Sequence, residues 1–273
     1  METQFIKLSS LSAVATLMLG TSACTTIPTS NEGFMSRTDI LEAAKGVHGK
    51  RLATPPPSPP IERGNKLQID AVRSVGQETT PQQITSAERA LIENALARNA
   101  CNDFSKHFEV IGSDVVSEDA YRLRIGVTRL EPTGKFGAAV GTVTGLASPL
   151  TVVRPPIGLG SLTVEFELLK SSGEQAADMV WSRKADMVST DAAASRIGDA
   201  YVFTSDATQD FARLASRQTA RNNELSGIPI PFIDKPDKVC EIYGRETNAA
   251  AQVIRFLGLP VPPEIVDKGA KKP

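Results

Sequence analysis

The chain has 273 residues, of which 41% are hydrophobic, 22% charged and 5% aromatic, and its formal net charge is −1. That balance fits a globular protein and argues against nucleic acid or an acidic polymer as partner, because neither sign of charge is in excess. So few aromatic side chains also argue against a sugar-stacking surface.

The first pattern along the chain ends in a cysteine. Met1 to Lys7 carries one lysine, Leu8 to Gly20 is uncharged, and Thr21-Ser22-Ala23-Cys24 follows. A secretory signal has a basic start, an apolar stretch of about 7–15 residues and small residues before its cleavage point. Leu8 to Gly20 fits that length and falls short of the about 20 residues needed to cross a bilayer. Small residues before a cysteine resemble the signal of bacterial lipoproteins, in which that cysteine takes a diacylglycerol on its thiol and is then acylated on its amino group. Thr21 stands where that pattern usually has Leu. Residues 1–23 are therefore expected to be a signal peptide and Cys24 the lipidated residue. The other reading is an ordinary cleaved signal beside an incidental cysteine. Several acyl chains, at about 0.8 kcal/mol per buried methylene, would make the anchoring effectively permanent. Thr25, rather than Asp, after the cysteine favours the outer membrane by the same resemblance, with the domain on the periplasmic face. An inner-membrane anchor and a free periplasmic or secreted protein are the alternatives. Beyond the covalent lipid no cofactor is expected.

Residues 24–65 read as a lipidated N-terminus and tether. Gly33-Phe34-Met35 and Ile40-Leu41 offer an apolar patch that can dock on a domain. Thr54-Pro55-Pro56-Pro57-Ser58-Pro59-Pro60 is a stiff extended segment, because proline fixes φ and lacks an N–H. It serves as a spacer or as a ligand for a partner domain.

Residues 66–222 carry the pattern of an α+β domain. Lys66 to Arg73 alternates polar and apolar, as a half-buried strand does. Thr85-Ser86-Ala87-Glu88 is a capping box opening a helix to about Phe104, with Leu91, Ile92, Ala95 and Leu96 on one side and Cys101 pointing away from them. Tyr121 to Thr128 alternates, and Leu162 to Leu168 repeats the pattern with Thr163, Glu165 and Glu167 facing out. Arg122 and Arg124 are then expected to meet Glu165 and Glu167 across the sheet, at about 0.2–1 kcal/mol per pair. Ser171-Ser172-Gly173-Glu174 is a turn, and Gln175 to Asp186 returns as a third strand. The centre is thus an antiparallel meander, in a small antiparallel sheet of about four to five strands packed with two to three helices. Phe211, Leu214 and Ala215 mark a helix from near Ser205. Residues 223–273 form a C-terminal arm, with a helix from about Arg245 to Leu257 stopped by Gly258 and Pro260 and a disordered Pro- and Lys-rich tail.

Four features bear on chemistry. Cys101 and Cys240 are the cysteines left after Cys24. Outside the cytoplasm they read as a disulfide that clamps the arm over the outer side of the first helix, at up to about 4–5 kcal/mol in the chain-entropy model. Two unpaired thiols are the alternative. Arg213, Arg217 and Arg221 fall at i, i+4 and i+8, a row that grips an acidic partner or lipid headgroup or else is simply solvated. The stretch between Lys135 and Arg154 is uncharged, with Gly137, Gly141 and Gly145 at every fourth position. It is either a loop between strands or an apolar arm that contacts the bilayer or a partner copy, since such spacing lets helices approach closely. His48 and His107 are the only histidines, which leaves a metal site and a nucleophilic triad poorly supplied. Glu165 and Glu167 share a strand face, the arrangement from which a carboxylate hydrolase would start.

The run Gly160-Ser161-Leu162-Thr163-Val164-Glu165-Phe166-Glu167-Leu168-Leu169, followed by Ser171-Ser172-Gly173-Glu174, resembles the strand–turn signature of a bacterial lipoprotein family, domain of unknown function 3313. Ala176-Ala177 and Arg183-Lys184 are similar to its next strand, Gly33-Phe34-Met35 to Leu41 to its N-terminal element, and Asp210-Phe211-Ala212-Arg213-Leu214-Ala215 to its closing helix. Lys170 stands where the family tends to have Asp. The resemblance covers roughly residues 31–222 and implies a secreted, lipid-anchored protein with no established activity. Three functions follow as expectations: a lipid-anchored, non-catalytic binding, accessory or scaffold module facing the periplasm; an envelope hydrolase with a carboxylate site; or a homo-oligomeric structural lipoprotein assembled through residues 137–145.

Overall fold

The computed structural model describes residues 30–31, 33–44, 49–59, 61–75, 84–112, 115, 117–134, 159–185, 195–216, 238–244 and 262–267. Three strands form the centre as an antiparallel meander: β6 (Tyr121–Glu131), β7 (Ser161–Leu169) and β8 (Gln175–Lys184). The turn between β7 and β8 closes with Gly173 N–H bonded to Lys170 O at 2.9 Å and Lys170 N–H to Glu174 O at 2.8 Å. Gly173 has φ of 83° there, a conformation that costs glycine nothing. The uncharged stretch after Lys135 connects the paired strands β6 and β7. Its own residues, with Gly137, Gly141 and Gly145, lie outside the described set.

The sheet is larger than expected and it is mixed. Among the described residues its eight strands run in the order β1 (Glu42–Ala44), β2 (Lys50–Ala53), β8, β7, β6, β3 (Lys66–Ile69), β5 (Glu109–Ile111), with β4 (Arg73–Ser74) on β6 beside β3. β1 and β2 come from the segment read as tether, and β2 pairs antiparallel with β8. Too short to carry a clear period, they owe their place to that partner. β3 and β4 both run parallel to β6, along Tyr121–Leu123 and Gly126–Val127 respectively. The alternating run from Lys66 is therefore one strand interrupted at Asp70. Parallel pairing needs a crossover, and the first helix, α1 (Ser86–Phe104), lies in it.

α1 starts at the expected capping box. Thr85 Oγ1 accepts from Glu88 N–H at 3.1 Å and Glu88 Oε2 from Thr85 N–H at 2.7 Å. It packs with α2 (Gly198–Ala215) on one face of the sheet. α2 begins seven residues before the expected start near Ser205. Its N-cap Ile197 makes no side-chain capping bond, so no local signal marks the end. The tie is tertiary instead: Asp199 Oδ2 accepts from Thr133 Oγ1 at 2.7 Å and from Gly160 N–H at 3.1 Å. Between helices and sheet lie Leu67, Ile69, Leu123, Ile125, Val164, Phe166, Leu168 and Trp181, all nearly inaccessible. Phe166 stacks on Phe211 with centroids 4.9 Å apart, and Trp181 Nε1 donates to Asp210 Oδ2 at 3.1 Å. Gly49 leaves room for that indole, because a Cβ there would stand 2.5 Å from Trp181 Cε2.

Both sides of α1 are covered. Ile92, Ala95 and Leu96 are buried, and so are Arg98 and Cys101. A 3-10 helix (Lys238–Tyr243) packs on α1, where Cys101 and Cys240 form a disulfide-capable pair with Cα atoms 5.6 Å apart. A short helix α3 (Pro263–Val266) follows, and Asp267 beyond it is buried. Its Oδ2 accepts from Arg98 Nη2 at 2.7 Å and from Tyr201 Oη at 2.7 Å. The expectation of a disordered tail thus fails at residues 262–267, which dock because their carboxylate meets a buried guanidinium. The helix expected at 245–257 lies outside the described residues.

The clamp can be opened at either of its two ties. Asp267→Ala buries the Arg98 charge without its carboxylate and is expected to cost about 3 kcal/mol, read by chemical denaturation. Reduction, or Cys240→Ser, is expected to lower the melting temperature and shift gel mobility, at about 2–5 kcal/mol. Unchanged melting and mobility under reductant would mean that no bond forms.

Candidate functional site

The alternation that turns Leu123 and Ile125 toward the helices turns Arg122, Arg124 and Gly126 to the opposite, outer face. Register puts Arg124 opposite Glu167 and Gly126 opposite Glu165 on β7, then Glu167 opposite Asp178 and Glu165 opposite Val180 on β8. The strand pattern alone predicts a solvated outer face. Instead Glu165, Glu167 and Asp178 are fully buried, because the N-terminal segment lies across them. Phe34 and Met35 are buried against Val180, with Leu41, Leu52 and Val75 around them. Gly126 makes the fit possible: a Cβ there would stand 2.8 Å from Val75 Cγ2 and 3.0 Å from the Phe34 ring.

Burying carboxylates requires donors. Asn31 N–H donates to Glu165 Oε1 and Ser36 N–H to Glu167 Oε1. Arg124 forms an ion pair with Glu167 while its guanidinium lies 4.9 Å from the Phe34 ring centroid. The expected pairing across the sheet is therefore half realised. Arg122 turns instead to Asp70, at 2.8 Å, and Glu165 pairs with no arginine among the described residues. Glu165 Oε2 has no hydrogen-bond partner among the described residues, and burial pushes this carboxyl up to about 7, opposed by the Asn31 N–H. Burial pushes Asp178 up to about 8, with nearby Glu167 adding to the shift and Gln175 and Arg37 opposing it.

Beside this covered strip the outer face opens into a cavity of about 410 Å³. Asn31, Gly33 and Phe34 form one wall. The interruption between β3 and β4 forms another, with Asp70, Ala71, Arg73 and Val75, and Arg122 and Arg124 of β6 are part of the lining. Among the described residues, three arginines thus line one space with one acidic residue, Asp70, which is already paired. Guanidinium is a planar fork of donors suited to phosphate or carboxylate. Glu165 and Glu167 are outside the lining. Arg122 and Arg124 were legible as a pair on one strand face, whereas Arg73 was not, because its strand is two residues long.

The other candidate residues lie elsewhere. Arg213 is half-buried on α2, its charge acting on Asp103 of α1. α2 ends at Ala215, and Arg217 and Arg221 lie outside the described residues, as does Cys24. His107 follows α1, its N–H bonded to Phe104 O and its carbonyl to Gly64 N–H, each at 2.9 Å. Among the described residues no helix is long and apolar enough to cross a membrane.

The model of the family described as protein of unknown function (DUF3313) matches residues 30–211. Among solved structures the chain is similar to a leucine-to-methionine variant of the PelC dodecamer from Paraburkholderia phytofirmans, at 18% identity over 62% of this chain and 99% of that one, with a TM-score of 0.38. A second PelC dodecamer from that organism is 16% identical over 60% and 98%, with a TM-score of 0.37. Protein XCC0632 from Xanthomonas campestris, of the DUF330 family model, is 14% identical over 62% and 94%, with a TM-score of 0.34. No curated protein matches the chain.

The buried carboxyls make a pH prediction. Glu165 rises from 4.5 to about 7 and Asp178 from 3.8 to about 8 on folding. Between the unfolded and folded values the native state holds more protons, so the stability these groups contribute is present at low pH and is lost as pH rises toward 8. The melting temperature is expected to decline across that window, and Glu165→Gln with Asp178→Asn to flatten the decline. An unaltered slope in the double variant would place both carboxyls in the ordinary range.

Proposed function

The chain belongs to the DUF3313 family, whose function is unknown, and from that premise we propose that it is a lipid-anchored protein of the cell envelope whose domain faces the periplasm and binds rather than catalyses. The observation that carries this reading is Thr21-Ser22-Ala23-Cys24 at the end of the uncharged run Leu8 to Gly20. Thr25 after the cysteine supports the outer membrane. A second support is the make-up of the cavity. Acid–base hydrolysis needs two carboxyl groups facing a substrate across open space. Among the described residues the cavity lining has one acidic residue, Asp70, held by Arg122, while Glu165 and Glu167 are buried beneath Asn31 and residues 33–36. Arginines facing open space, with the carboxylates beneath a lid, suit capture of an anionic group.

Metabolic labelling with palmitate tests the anchor. Wild-type protein is expected to take the label and Cys24→Ser to take none. An unlabelled wild type would make the protein free in the periplasm or secreted.

A further inference from the structure

We propose that the arginine-lined cavity of the outer face is a binding site for the phosphate of an anionic lipid headgroup; this rests on the lipid-anchored reading above. The first argument is charge. Arg122 and Arg124 are two residues apart on one face of β6, about 6.6 Å along the strand, and Arg73 is paired in register with Gly126 on the same strand. Arg124 is held by Glu167 and Arg122 by Asp70, but the Arg122 side chain is still 55% exposed. Arg73 is exposed and makes no ion pair among the described residues. The arginine forks therefore keep donors for a phosphate, whose oxygens accept several such bonds at once.

The second argument is the wall. Gly33, Phe34 and Val75 give the cavity an apolar side, where a glycerol backbone can lie while its phosphate meets the arginines. A space of about 410 Å³ falls within the range of small-molecule sites, roughly 300–1,000 Å³. That is enough for a headgroup with its glycerol, while the acyl chains stay outside in the bilayer.

The third argument is reach. Asn31 is itself part of the lining, and it stands seven residues after Cys24 (31 − 24 = 7). Seven residues span at most about 25 Å even fully extended. An acylated Cys24 therefore holds the cavity within that distance of the leaflet it is anchored in, where phosphate is the most abundant anion. A free anion would need no such placement.

The test uses the full chain in detergent. It is titrated separately with inorganic phosphate, glycerol 1-phosphate, and monomeric dihexanoyl phosphatidylglycerol and phosphatidylcholine, and followed by phosphorus NMR line broadening. Phosphatidylglycerol is expected to bind saturably, about tenfold more tightly than inorganic phosphate, with glycerol 1-phosphate between them. Loss of the two exposed forks in Arg73→Gln with Arg122→Gln is expected to weaken it by about tenfold or more, with the melting temperature unchanged. The milder Arg124→Lys, which keeps the charge beside Glu167, is expected to weaken binding less. Equal affinity for phosphate and phosphatidylglycerol would overturn the lipid assignment in favour of free phosphate. Binding that survives the double variant, or no binding at all, would overturn the site. Failure here with Cys24 labelled by palmitate would sink the cavity alone. Binding here without label would sink the anchor alone.

Discussion

The structure turns on a strand that is buried on both faces yet carries two glutamates. β7 is buried along its whole length. One face supplies Val164, Phe166 and Leu168 to the core beneath the helices, while the other presents Glu165 and Glu167 to what would otherwise be a dry interior. An ionised carboxylate taken out of water loses several kcal/mol unless donors replace the water. The donors are backbone N–H groups of Asn31 and Ser36 together with the guanidinium of Arg124. The N-terminal segment is therefore a structural layer of the domain. Phe34 and Met35 seal it, and Gly126 leaves the gap in which Phe34 sits.

That layer also makes the cavity. Where Asn31 and residues 33–37 stop covering the sheet, the outer face of β6 is left with its arginines and with the break between β3 and β4. Asp70 sits at that break, where the alternating strand stops following its neighbour. Its carboxylate fixes Arg122, while Phe34 faces Arg124. The arginines are thus positioned by groups whose first task is packing.

Much of the fold was legible because its signals are local. The Thr85 and Glu88 box set the start of α1, the alternation of Tyr121–Val127 and Leu162–Leu168 set the meander, and Gly173 set its turn. What was not legible depends on distant partners. β1 and β2 are three and four residues long and are strands because β8 pairs with β2. α2 starts at Gly198 because Asp199 meets Thr133 and Gly160. Most instructive are Glu165 and Glu167. In a two-fold pattern, alternate charged residues indicate a wet face. Here that face is covered by a segment more than a hundred residues earlier in the chain, and no period within β7 records it. The cavity was half visible for the same reason: Arg122 and Arg124 share a strand, but Arg73 reaches them only through the pairing of β4 with β6.

The long span of those N-terminal contacts also sets an order of assembly. The bonds from Asn31 and Ser36 reach 134 and 131 residues along the chain, and β2 pairs with β8 at Met179–Ser182. Synthesis delivers the N-terminal residues first, but their places exist only after β7 and β8 have arrived. Contacts of such separation form late, since their loops must close before anything is gained. The first segment made thus waits for partners made far later, and until it is seated Glu165 and Glu167 stay in contact with water. The closing of the outer face is a desolvation step that has to await β7 and β8, and it completes the arginine-lined cavity in the same movement.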